Sequence, residues 1–374
     1  MAGVFGTKMQ VVGIKKEVDS GTVETFLPAD YNIRFQTGEI SDLTVEYADD
    51  GSFVSGNLTK EASTPGLVRG GLTLESNITM GEFETTDSGV TYSSKYPLAK
   101  GWGMAGFNVI AHVPTGLLST ARGWFEMFST KESICDTYSG AFYDAMTCSK
   151  VGSKGIEYTF RGLTSNAVIS AESAGNPFKL VLDPKGGVGG VAEVEHSAVP
   201  IFDDGNANNT RSIPFINADV VLTAVNFDGS SNGSSSVSFC VSSFGLDMQN
   251  VSTEIICASS QYGVVKTQIT DQNPKIDVGV LMTSLSDFDW WNAQTQMQIF
   301  TLEIVVYEDG AKTLPLYKLL APRVQLQGAT SSDDNGLRKQ DSTFMCLVNT
   351  QGATVEEKQK DVSILVYANT VDNT

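Results

Sequence analysis

At 374 residues, with 41% hydrophobic and 18% charged side chains, the chain has the material for two ordinary domains, each with its own core, and is not a disordered polymer. Its 43 acidic residues against 25 basic ones leave a net charge of -18, which excludes the cationic surface of an ordinary duplex-DNA binder. Five scattered cysteines and two histidines, with no Cys-x-x-Cys pair, exclude the tight ligand cluster of a structural zinc site.

In chain order, residues 1–8 lack the basic start and apolar run of a secretory signal, and no run reaches the ~18 apolar residues that a membrane helix needs. Aqueous surroundings and no membrane partner are therefore expected. A polar strand-turn stretch, a glycine, a second strand run and a Trp-bearing segment follow over 39–107, and a similar order recurs over 243–297. Such doubling predicts two tandem β units, one over 1–150 and one over 151–374, with 148–162 as the connector.

Period-two alternation and β-branched runs predict strands at 72–80, 167–171, 178–182, 219–225, 236–241, 299–307 and 362–368. Asp/Gly and Pro/Gly clusters at 49–51, 183–187, 203–205, 228–229 and 308–310 predict the turns between them. Two places break toward helix: 96–107, where Pro97 suits a first helical turn, and 286–294, where Ser286 or Asp287 is placed to cap. Each short helix is expected to bury its aromatic side chains against a sheet; the other reading of Trp102, Trp290 and Trp291 is a platform for stacking a sugar or a base. The polar stretches 203–210 and 229–236 read as exposed loops or hairpin tips, and a third, 328–338, as a mobile segment that a neighbouring subunit orders.

No catalytic constellation emerges. His112 lies in an apolar run, as a satisfied core histidine does, and His196, among Glu193 and Glu195, has no nucleophile implied beside it. The run Gly186-Gly187-Val188-Gly189-Gly190 lacks the Gly-Lys-Ser/Thr ending of a phosphate loop and reads as a flexible hairpin turn. Residues 228–233 lack the closing Glu of a calcium loop. Cys135 and Cys148 are spaced to close a short loop, but free thiols are the expectation. No enzyme activity, metal or cofactor is expected.

Several segments resemble a known family. Val12 to Thr22, with its Lys16-Glu17-x-x-x-Gly21-Thr22 turn, the acidic strand at 38–50 and the polar Ser55-Gly56 loop are similar to the opening of the tail tube proteins of long-tailed, siphovirus-like bacteriophages. So is the hinge Thr64-Pro65-Gly66-Leu67-Val68-Arg69-Gly70-Gly71, which precedes a long strand. Further stations in order are 98–107, Thr147-Cys148-Ser149, the Ala174-Gly175-Asn176-Pro177-Phe178-Lys179 turn and Ile269-Thr270-Asp271-Gln272-Asn273-Pro274.

The resemblance implies an all-β chain of two tandem β-sandwich or barrel tail-tube units, each with a short helix. It implies a structural virion protein, assembled in the host cytoplasm, whose copies form rings that stack into a hollow tail. The rings are trimeric and pseudo-hexameric if the doubling is real, and hexameric if it is not. Tape measure, tail terminator and distal tail proteins are the other implied partners, and DNA passes through the acidic lumen without specific binding. Thr64, Pro65, Gly66, Leu67, Val68, Arg69 and Gly70 are the candidates for a loop between rings or subunits, removable without unfolding the subunit. The alternatives are another virion β-protein, such as a decoration or baseplate component, and a carbohydrate-binding β-sandwich.

Overall fold

The computed structural model describes residues 5–31, 35–48, 64–86, 91–96, 98–113, 123–146, 154–195, 211–226, 230–258, 262–281, 288–334, 337–349 and 360–371. The strands up to residue 146 are β1 (Phe5–Lys16), β2 (Thr37–Ala48), β3 (Thr64–Asn77), β4 (Gly81–Thr86), β5 (Thr91–Lys95), β6 (Phe107–His112), β7 (Trp124–Ser129) and β8 (Tyr138–Met146). Next come β9 (Lys154–Thr164), β10 (Ala167–Ala171), β11 (Lys179–Leu182), β12 (Lys185–Glu195), β13 (Ala218–Val225), β14 (Ser231–Phe239) and β15 (Val241–Asp247). The remainder are β16 (Val251–Ile256), β17 (Val264–Asp271), β18 (Lys275–Leu281), β19 (Ile299–Tyr307), β20 (Pro315–Asp334), β21 (Leu337–Cys346) and β22 (Ser363–Val371). Among the described residues, two short α-helices, α1 (Ala99–Met104) and α2 (Trp290–Thr295), complete an all-β fold, as the alternating patterns predict. Among the described residues, no helix is long and apolar enough to cross a membrane.

The clearest alternations fold as they read. Ile299–Tyr307 buries every second side chain from Phe300 onward, and Ala167–Ala171 does the same through Ala167, Ile169 and Ala171. Helix α1 buries Trp102, whose indole N–H donates to the Tyr96 hydroxyl at 3.1 Å. Helix α2 is capped by Asp289, whose carboxylate accepts from the Asn292 N–H at 2.9 Å; Ser286 and Asp287 lie outside the described residues.

Pairing is antiparallel, except that β22 runs parallel to β4. One run of neighbours is β1, β8, β9, β12, β3 and β2. From β3 a second run passes through β11, β10, β15, β18 and β21 to β20, which also pairs with β19 and β22. The pairing does not divide at residue 150. Strand β3 bonds to β11 and β12, β22 bonds to β7 and β4, and one hydrophobic cluster extends from Val12 to Ala368. Residues 154–162 of the expected connector lie in strand β9.

Three other expectations give way to pairing. The glycine run 186–190 is not a turn but lies inside β12, between β9 and β3; a Cβ on Gly187 would stand 2.5 Å from the Val264 carbonyl oxygen, so the run lets backbones approach. Most of 229–236 is strand β14, and 328–334 and 337–338 lie in the paired strands β20 and β21 of this chain. The expected turn at 308–310 is present: Asp309 accepts from the N–H groups of Thr313 and Leu314, each at 2.9 Å. The turns expected at 49–51 and 203–205, and His196, lie outside the described residues.

Candidate functional site

The segment expected to bridge rings is held by its own chain. Thr64, Pro65, Gly66, Leu67, Val68, Arg69 and Gly70 form the first half of β3, with Pro65 opposite Tyr47 and Gly70 opposite Leu43 on β2. The Val68 N–H donates to the Tyr262 carbonyl at 3.1 Å, and Leu67 packs against Gly263. Arg69 donates to Glu254 on β16 at 2.7 Å and to Glu46 on β2, and these partners hold its pKa above the ordinary range. Gly70 lies against the Phe160 ring. Removing this segment would strip the pairing from the Leu43–Ala48 half of β2 and from part of β12, so it is not a detachable loop. The stretch 49–63, which leads into it, lies outside the described residues.

The Lys16-Glu17-x-x-x-Gly21-Thr22 motif has a physical explanation in Glu17. Its carboxylate is 7% exposed and accepts four hydrogen bonds. Gly162 N–H (2.6 Å) and Ser139 hydroxyl (3.0 Å) donate to Oε1; Gly21 N–H (2.6 Å) and Thr137 hydroxyl (2.6 Å) donate to Oε2. Gly21 and Gly162 sit at φ of 83° and 58°, conformations that glycine adopts at little cost. One side chain thus closes its own turn and ties it to β8 and β9. Two further stations are anchors of the same kind: Gly175 N–H donates to the Phe215 carbonyl, and Asp271 holds the Gln272 N–H and the Asn273 amide in the turn before β18.

A second feature arises only from cross-strand register. Ser170, Gly245, Asp277, Thr343 and Gly328 lie opposite one another across β10, β15, β18, β21 and β20. Ser243, Gly279, Asp341 and Thr330 form a parallel row two residues away, on the same face. The intervening row, Ala171, Phe244, Val278 and Ser342, is buried. The outward face is therefore a floor of glycine, serine and threonine, with a shallow groove of about 390 Å³ that Glu172, Asp277 and Asp341 also line. Thr343 donates to Asp277 at 2.5 Å, and Ser332 and Lys339 hold Asp341 at 2.5 and 2.9 Å. Burial alone would raise the Asp341 pKa, but Ser332 and Lys339 outweigh it and keep the carboxyl below its ordinary range.

The histidine and tryptophans divide. His112 is not a core residue; its side chain is 36% exposed, stacks on Trp124 at 5.0 Å and lies 3.0 Å from Glu126. Lys360 (2.7 Å) and Ser363 (3.0 Å) also donate to Glu126, joining β6, β7 and the start of β22. Trp102 and Trp290 are buried, whereas Trp291 is 74% exposed, contrary to the core packing expected of both helices. Cys135 is a free exposed thiol, and Cys148 lies outside the described residues. Among the described residues, no group of three or more His, Cys, Asp or Glu side chains is arranged to hold a metal ion.

The Glu126 cluster carries a pH prediction. Burial pushes its pKa up, but Lys360, Ser363 and His112 outweigh that and hold it below the ordinary 4.5. A carboxyl depressed in the folded state contributes stability above its unfolded pKa and loses it as pH falls through the folded value. The melting temperature of Glu126→Gln is therefore expected to lie below that of the parent at pH 7, and the gap to close below about pH 4.5. Thermal scans of both proteins from pH 7 to 3 check this; a constant gap refutes it.

No protein-family description and no curated protein matches the chain.

Proposed function

We propose that this is a structural, self-assembling virion protein whose copies form stacked rings, making the hollow tail tube through which a long-tailed bacteriophage delivers its genome. The observation that carries the reading is the small-residue, acidic sheet face across β10, β15, β18, β21 and β20. A polyanion slides along a wall that is flat, carries fixed negative charge and offers few protruding cations. Glu172 and Asp277 supply the charge, Asp341 being paired with Lys339, whose side chain lies across Gly279, and the glycine, serine and threonine rows supply the flatness. The net charge of -18 extends the same repulsion over the chain.

On this reading the partners are further copies of the chain, with tape measure, tail terminator and distal tail proteins at the tube's interior and ends; DNA passes without specific binding. Assembly takes place in the host cytoplasm and the protein resides in the virion tail. Three chains close a ring if 39–107 and 243–297 supply two neighbouring ring positions, and six if they do not. Negative-stain images of the purified protein test this: hollow tubes or stacked rings are expected, and threefold against sixfold averaging counts the chains. A monodisperse monomer retarded on a glycan column would sink the reading in favour of a carbohydrate-binding sandwich built on Trp291.

A further inference from the structure

None of the residues lining the groove is basic, yet a lysine stands at its edge. Lys339 is on the outward face of β21, two residues from Asp341 and opposite Leu281 on β18 and Ser332 on β20. A lysine so placed ordinarily carries its ammonium away from the sheet into water. Two other lysines share that face outside the groove lining: Lys275 on β18, and Lys179 on β11, which is paired with Glu75 at 2.6 Å.

Lys339 is instead laid flat. A Cβ placed on Gly279 would fall on the Lys339 Cε and stand 2.7 Å from its Nζ, so the end of the side chain runs over the bare backbone of Gly279. Its ammonium reaches Asp341 at 2.9 Å. At 18% it is the least exposed lysine among the described ion pairs, where the others range from 20% to 62%.

Only glycine leaves room for this. Gly279 lies in the row Ser243, Gly279, Asp341, where any other residue would put a Cβ on the outward face. The backbone does not demand glycine there, since Gly279 is inside β18 and its φ is outside the left-handed range. The nearest atoms that a Cβ would meet are the Lys339 terminus and the Ser243 hydroxyl, both ends of side chains that can turn. A methyl at 279 therefore displaces the lysine and not the sheet.

We infer that Gly279 is a positioning residue that keeps Lys339 folded onto the floor, and so keeps the floor from holding the phosphates of passing DNA. The inference rests on the tube reading and names what makes the wall smooth. Gly279→Ala lifts the ammonium off the sheet with no change in net charge, so a gain in DNA retention cannot come from overall charge.

Full-length parent, Gly279→Ala, Lys339→Met and the double variant are compared in two ways. Acetylation by an N-hydroxysuccinimide ester, read at Lys339 by peptide mass spectrometry against the exposed Lys154, reports whether the ammonium has risen. Retention of a short labelled DNA duplex by assembled protein, titrated with NaCl, reports the consequence. The labelling needs only folded chain, so it tests Gly279 even where a variant assembles poorly. In Gly279→Ala, Lys339 is expected to react several-fold faster and the duplex to be held, with an affinity that falls roughly 3-fold between 0.05 and 0.2 M NaCl for each lysine engaged. Lys339→Met and the double variant, like the parent, should release it. Unchanged reactivity of Lys339 in Gly279→Ala, faster reaction without retention, or retention that persists in the double variant overturns the inference while the tube reading stands. If the parent forms no tubes, or holds the duplex as tightly as Gly279→Ala does, the tube reading falls and this inference with it.

Discussion

Replacing Glu17 by glutamine is expected to lower the free energy of unfolding by about 3 kcal/mol, although the substitution keeps size and shape. Each carboxylate oxygen of Glu17 accepts from one backbone N–H, Gly162 on Oε1 and Gly21 on Oε2, as well as from a hydroxyl. An amide has one oxygen. In either rotamer its NH₂ must face a backbone N–H, so a buried donor loses its acceptor and meets a second donor. The hydroxyls of Thr137 and Ser139 can rotate, whereas the two peptide N–H groups cannot. Glu17→Ala removes both acceptors, at an expected loss of about 4 kcal/mol or more. Urea unfolding followed by tryptophan fluorescence measures both, and a loss below about 1 kcal/mol in Glu17→Gln would show that the cage contributes little.

The same residue marks how far the sequence could be read. Glu17 and Gly21 are legible as a turn because they are four residues apart, but Thr137, Ser139 and Gly162 join the cage from more than a hundred residues away. Local alternation was decisive at 167–171 and 299–307, whose boundaries match β10 and β19, since one buried face dictates a period of two. It failed where turn-forming residues serve pairing instead. Pro65 sits near the start of β3, where a strand tolerates proline, and Gly70 is set against Phe160, so a stretch that reads as a hinge becomes strand. Gly187 misleads in the same way, because the partner that demands glycine there is the Val264 carbonyl. Asp289 caps α2 in place of the expected Ser286 or Asp287, a shift of two or three residues that propensity does not resolve. The acidic floor had no local signal at all: Ser170, Gly245, Asp277, Thr343 and Gly328 become neighbours only through four strand registers.

That floor should respond to charge more strongly than any other part of the surface. With Glu172, Asp277 and Asp341 changed to lysine, each chain gains three cations on a flat face, and an assembly that releases DNA is expected to retain it. Three phosphate contacts give a log affinity that falls with log salt at a slope of roughly -2.7, a loss of roughly 40-fold between 0.05 and 0.2 M. Asp341 is the most informative single site. Ser332 and Lys339 keep it ionised, and Asp341→Asn should remove the charge while leaving the Ser332 donor an acceptor. The control exchanges Asp183, Glu193 and Asp219 for lysine, for the same change in net charge away from the floor. Retention of a short labelled duplex by assembled protein, titrated with NaCl, and genome release from particles carrying each variant are the two readouts. A wall that faces passing DNA slows release only when the floor is reversed. Equal slowing by the control would assign the effect to net charge and remove the floor from the path of the genome.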